Sequence, residues 1–167
     1  MILTDWAITR FSKDLYATRQ TGVIVNLAEI ATETGVPVGH AVCSVPLHPE
    51  HRNAAGMVMG GVYFTLADMT AAVAMNMVEC ANAATVEESM QLHWVTLNST
   101  INFIAQPRGE VITAEAVCRH MGETNCLFQV DIMDDEYLIA QVMVSGQRIE
   151  YETDETDESE EYDEEND

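Results

Sequence analysis

The chain has 167 residues, 47% of them apolar, and a formal net charge of −21. That length suits one domain with a single buried core, since cores split only beyond about 250 residues. A field so acidic repels phosphate backbones and excludes a conventional nucleic-acid binder.

The N-terminal residues Met1-Ile2-Leu3-Thr4-Asp5-Trp6 lack the basic start and apolar stretch of a secretory signal, and no uninterrupted apolar run approaches the about 18 residues of a membrane span. A cytoplasmic chain with no membrane partner is expected. Cys43, Cys80, Cys118 and Cys126 form no C-x-x-C pair, so neither a zinc ribbon nor a redox motif is supported and buried free thiols are expected. The strand patterns around Cys118 and Cys126 leave open that these two are cross-strand neighbours.

In chain order, Ile8 to Gln20 places Phe11, Leu15 and Tyr16 near helical spacing, and Gly22 stands where a helix-ending glycine belongs. Residues 1–22 thus read as an N-terminal helical segment. Val23 to Ile30 reads as a strand, Thr34-Gly35 as a turn, and Val38 to Val45 as the hairpin partner. Pro46 and Pro49 end that pattern and open a polar loop, His48 to Gly56. After Gly60-Gly61, the stretch Val62 to Cys80 contains no Pro or Gly and is rich in Ala, Leu and Met, enough for about five helical turns. It is apolar on nearly every face, which marks a helix wrapped by other structure.

From Leu92 the period changes to strands: Leu92 to Ile104, Val111 to His120, Asn125 to Met133 and Tyr137 to Ile149. Short turns at Pro107-Arg108-Gly109, Met121-Gly122 and Asp134-Asp135-Glu136 predict an antiparallel meander of the last three or four strands. Phe128, Val130 and Ile132 alternate with Gln129 and Asp131, as a sheet with one buried face requires. Residues 1–149 read as one α+β domain with a long helix wrapped by a curved antiparallel sheet. Residues 150–167 hold twelve acidic side chains and no Lys or Arg, leaving seven basic against sixteen acidic groups, −9, in the rest. Such a segment cannot bury enough surface to offset its ordering entropy and is expected to be a disordered tail.

Asn53-Ala54-Ala55-Gly56-Met57-Val58-Met59-Gly60-Gly61, followed by Leu66-Ala67-Asp68, resembles the signature of hotdog thioesterases of the phenylacetate-degradation type, which runs Asn, Gly, a His-Gly-Gly step and Leu-Ala-Asp in the helix. The likeness continues through Val95 to Ile104 and Gly109 to Glu115, covering roughly residues 20 to 149. It implies a hotdog fold and an acyl-CoA thioesterase that needs no cofactor, coenzyme A being part of the substrate.

By the same resemblance, Asp68 is the nucleophile or general base, Asn53 orients substrate or water, and the hydroxyl of Thr96 assists the carboxylate. The sequence marks Asp68 independently, because a carboxylate inside an apolar helix and beyond its first turn is costly unless paired or used. The N–H groups at Gly60 and Gly61 begin the helix unpaired and suit an oxyanion; a glycine pair also permits a tight turn. Met59 and Gly61 flank the substrate, and Met59 departs from the family, which carries histidine there; methionine neither donates a hydrogen bond nor shifts a proton. His48, His51 and His93 form no recognisable triad and read as surface histidines, and no metal-binding cluster is visible.

Gly60 and Asp68 are eight residues apart, about 12 Å along a helix, so one thioester carbon cannot touch both in one chain. A homodimer is expected, with Asn53 and Gly60 of one subunit facing Asp68 and Thr96 of the other, and a tetramer built as a dimer of dimers. Of the cations Arg52, Arg108, Arg119 and Arg148, Arg108 is the candidate contact for coenzyme A phosphates. Two other readings stand: a non-catalytic hotdog protein binding acyl or aromatic ligands, which Met59 and the ten methionines would suit, and a hotdog dehydratase, disfavoured because the main helix has no histidine.

Overall fold

A computed structural model describes residues 1–32 and 37–150. The expected turn at Thr34-Gly35 and the acidic segment from residue 151 lie outside these residues. Glu150, drawn above as the first tail residue, is the last residue of a strand.

The N-terminal segment is not one helix. Helix α1 spans Thr4–Phe11, and after a break a single π-helical turn covers Tyr16–Gln20. The Ser12 hydroxyl donates back to the Thr9 carbonyl (2.8 Å), a local bond that competes with the helical ladder. Gly22 then adopts a positive φ of 75°, as its position predicts.

The strands are β1 (Ile24–Ala31), β2 (Val38–Pro46), β3 (Leu92–Phe103), β4 (Val111–Met121), β5 (Asn125–Asp134) and β6 (Tyr137–Glu150). They form one six-stranded sheet in the order β1-β2-β4-β5-β6-β3, with every neighbouring pair antiparallel. The meander is therefore three strands, β4 to β6, while β3 crosses over to pair with β6 at the far edge. Cys118 lies opposite Phe128, and Cys126 opposite Met121, so these two cysteines are not direct cross-strand partners. All four cysteines are free; Cys43, Cys80 and Cys126 are buried and Cys118 is half-buried.

Helix α2 (Gly60–Asn82) lies against the sheet and is followed by a short α3 (Val86–Ser89). By length and composition α2 would suffice to cross a membrane, with a mean hydropathy of 1.2 over its best window, but 67% of that window is buried in the fold. It is the core helix of a hotdog arrangement: Tyr63, Leu66, Ala67, Thr70, Ala71, Val73, Ala74 and Met77 are all buried. It is not wrapped on every side, however. Phe64, Thr65, Asp68 and Ala72 recur at helical spacing along one stripe that stays partly open.

The helix approaches β2 so closely that a Cβ at Gly39 would stand 1.7 Å from the Ala74 carbonyl oxygen. Backbone on both sides leaves no side chain to swing away. Gly39→Ala is therefore expected to cost about 3 kcal/mol, at or above the upper range for overpacked cores, seen as a lower denaturant midpoint at unchanged m-value; a midpoint like that of the parent chain would contradict the close approach.

A buried polar clamp fixes β3 against α2. Asn76, 2% exposed, donates to the carbonyls of Ala72 (2.8 Å) and Trp94 (3.1 Å), and its Oδ1 accepts from the Trp94 N–H (3.0 Å) and from Arg10 Nη2 (2.9 Å). Every hydrogen-bonding site of the amide is used, so the start of β3 is held one helical turn from the middle of α2.

Candidate active site

The loop before α2 is tied down at several points. Pro49–His51 forms a single 3-10 turn. The His51 carbonyl accepts the Met59 N–H (2.9 Å), and the Val58 N–H donates to Gln106 Oε1 (2.8 Å). His51 is buried rather than on the surface, at 8% exposure. Its Nδ1 accepts the His48 N–H (3.2 Å). Burial first, and then His48, pushes the ring's pKa down, which keeps it neutral for that accepting role.

Asn53 Oδ1 accepts from the N–H groups of Ala55 (2.9 Å) and Met57 (3.1 Å). With the oxygen committed to the loop, the amide nitrogen is left to donate outward. Gly56, at φ 75°, makes the bend this turn needs.

Met59 is the residue before α2, extended at φ −65° and ψ 140°, with no side chain capping the helix. The first N–H groups, those of Gly60 and Gly61, have no partner among the described residues, as the start of an uncapped helix requires. Gly60 lies under the Phe103 ring, whose Cζ would be 2.9 Å from a Cβ there. The helix thus presents two donors and its positive dipole end at an open rim.

Asp68 is half-buried on the open stripe of α2. Its carboxylate makes no hydrogen bond or ion pair among the described residues. It lines a cavity of about 450 Å³ together with Thr96, Asn76, Trp94 and His93. It also lines an adjoining one of about 390 Å³ with Phe64, Leu15 and Tyr16. Thr96 is brought there by the Asn76 clamp and by a bulge in β3 between Thr96 and Asn98.

One chain therefore unites Asp68 with Thr96. Neither cavity is lined by Asn53, Met59, Gly60, Gly61 or Arg108. Arg108 lines a separate cavity of about 760 Å³ against the β5–β6 hairpin, where its backbone N–H donates to Asp134 Oδ2 (2.7 Å). Its guanidinium has no partner among the described residues, whereas Arg52 reaches the Gly56 carbonyl, Arg119 reaches Gln129 and Arg148 lies 3.4 Å from Glu79.

Three residues of the Asp68 cavity are not among the site residues read from the sequence, where His93 reads as a surface histidine. Asp14 and Arg10 come from the N-terminal segment, and His93 from the first turn of β3. Partial desolvation and then the Asp68 charge push the Asp14 carboxyl up, against a pull from Arg10. Burial pushes His93 down despite its bond to the Met90 carbonyl, so the ring is neutral near pH 7 rather than a surface cation. An Asp in the break after α1 and a histidine at the start of β3 give no local sign of that cavity.

The sequence profile of the thioesterase superfamily matches residues 55–139, about half the chain. No curated protein matches the chain by sequence. Among solved structures, the PaaI protein of the E. coli phenylacetic acid degradation operon is 22% identical, with 88% of this chain and 96% of that chain covered at a TM-score of 0.65. A hypothetical thioesterase with coenzyme A from Streptococcus pneumoniae is also 22% identical, covering 86% and 97% at 0.62. A variant of PaaI from Thermus thermophilus is 19% identical, covering 79% and 97% at 0.61. At these identities the likeness shows the hotdog fold.

Proposed function

Because the chain belongs to the thioesterase superfamily, we propose that it hydrolyses an acyl or aryl thioester of coenzyme A to the carboxylic acid and the free thiol, with Asp68 as nucleophile or general base. The observation that carries this reading is the Asp68 carboxylate itself: half-buried on an apolar helix, without a hydrogen bond or ion pair among the described residues, and lining a cavity shared with Thr96. The solved hotdog structure described with coenzyme A supports the choice of thiol.

In this reading Asp68 either adds to the thioester carbonyl carbon, expelling the thiolate and leaving a mixed anhydride that water cleaves, or removes a proton from the water that adds. The Gly60 N–H, aided by Gly61, stabilises the charge that develops on the carbonyl oxygen, and the Asn53 amide positions substrate or water. Met59 lines the approach without replacing the family histidine's hydrogen bond. Arg108, whose guanidinium has no partner among the described residues, contacts a coenzyme A phosphate. No cofactor is required.

Gly60 and Asp68 belong to different subunits of a homodimer in this scheme. The free edge of β3 supports that: Leu97 is 61% and Phe103 56% exposed, an apolar edge of the kind that pairs with another chain. A tetramer of two such dimers and a cytoplasmic location remain part of the proposal. The test is release of free thiol from a panel of aryl- and fatty-acyl-CoA substrates. Turnover of at least one class is expected; saturable binding with no turnover across the panel would replace the enzyme by a ligand-binding protein.

A further inference from the structure

Resting on the thioesterase reading, we propose that Asp14 determines specificity, setting the cavity beside Asp68 against acyl groups that end in a carboxylate. Both cavities flanking Asp68 are also lined by Asp14, one on each side of the N-terminal segment. The backbone fixes Asp14 there: its N–H donates to the Phe11 carbonyl (3.1 Å), and its own carbonyl accepts from the N–H and the hydroxyl of Thr18, both at 2.9 Å. Its carboxylate makes no hydrogen bond or ion pair among the described residues, and the residue is exposed at the edge of both cavities.

The charged and titratable groups around this space come from every packed element: Arg10 from α1, Asp14 from the break after it, Asp68 from α2 and His93 from β3. His93 is neutral near pH 7 for the reason given above. The guanidinium of Arg10 is turned away, donating to the Ser89 carbonyl, to Ser89 Oγ (2.9 Å), to Asn76 Oδ1 (2.9 Å) and to Cys80 Sγ (3.7 Å). Two carboxylates thus stand against one committed cation. Beside the polar Thr65, Asn76 and Thr96, the wall has a large apolar part formed by Phe11, Phe64 and Trp94. An uncharged acyl or aryl chain meets a matching surface there, and an ω-carboxylate meets like charge. Asp14 is exposed, so the dielectric around it is close to that of water, where a like charge at about 4 Å changes transition-state binding on the order of fivefold.

The experiment compares kcat/KM for matched pairs that differ only in the terminal carboxylate: glutaryl-CoA against pentanoyl-CoA, and 4-carboxyphenylacetyl-CoA against phenylacetyl-CoA. The parent enzyme is expected to favour the uncharged member. Asp14→Asn should raise the charged-to-uncharged ratio about fivefold, Asp14→Lys should raise it further, and Asp14→Glu should keep the parent ratio. Ratios that stay within about twofold in Asp14→Asn and Asp14→Lys would overturn the proposal, as would a parent enzyme that favours the ω-carboxylate, since Arg10 would then govern the site. An enzyme inert toward these and the whole thioester panel would remove the thioesterase reading and this one with it, an outcome distinct from unaltered ratios in an active enzyme.

Discussion

Asp68→Asn is expected to lower kcat for the best thioester by at least about 10²-fold while leaving the folded state intact. General acid–base groups contribute about 10² to 10⁴ and a covalent nucleophile more, so the loss separates the two chemistries only at its upper end. The stability half of the expectation comes from what Asp68 does not do. It has no hydrogen bond or ion pair among the described residues to lose, and its charge acts on Asp14 with the same sign. Removing that charge relieves repulsion, so the melting temperature should hold or rise. Thiol release and a thermal melt on the same preparation check both halves. Turnover within about tenfold of the parent would take Asp68 out of the mechanism, whereas a collapsed melt would make it a structural residue after all.

Those two halves also explain what the sequence could disclose. Strand limits are legible to within a residue or two because alternation and turn chemistry are local; β2, β4, β5 and β6 begin where the pattern predicts. Helix α2 starts two residues earlier than the pattern suggests, since the Gly60-Gly61 pair reads as punctuation but supplies the first helical turn. The break between α1 and the π-helical turn is held by local bonds, from the Ser12 hydroxyl to the Thr9 carbonyl and from the Asp14 N–H to the Phe11 carbonyl, and leaves no apolar signature. Sheet order is not local at all: nothing in Leu92 to Phe103 says that β3 pairs with β6 rather than β4.

The site divides along the same line. Asp68 and Gly60 stand out because each is anomalous where it lies, a charge in an apolar helix and a glycine at its start, whereas Asn53 is marked only by the resemblance of its loop to the family signature. Thr96 comes to the Asp68 cavity through the Asn76 clamp and the β3 bulge, and Asp14, Arg10 and His93 come to it through packing of segments up to about 80 residues apart. The burial of His51 was equally hidden, because a histidine in a polar loop gives no sign of which way it turns. Residues recruited by tertiary structure carry ordinary local sequence.

The second large effect concerns the division of the site between chains. Gly60→Pro is the variant that removes one donor with the least disturbance: proline suits the first helical position, where its missing N–H breaks no intrahelical bond. Met59 is already in the extended conformation that a residue before proline requires. The added ring displaces Phe103, which is an exposed side chain and can swing outward. A loss of about 10² to 10³ in kcat is expected, the scale of one oxyanion donor. If Gly60 of one subunit serves Asp68 of the other, mixing Gly60→Pro and Asp68→Asn chains restores activity. Equal mixing makes half of the dimers mixed, and each mixed dimer holds one intact site of two, so about a quarter of the parent kcat should return. Co-expression with two affinity tags, purification of the doubly tagged dimer and thiol release measure this directly, the purified mixed dimer itself being expected at about half of the parent rate. A mixed dimer no faster than the two variants alone would place Gly60 and Asp68 in the same chain's site, and the 12 Å of helix between them would then have to be spanned by something other than one thioester carbon.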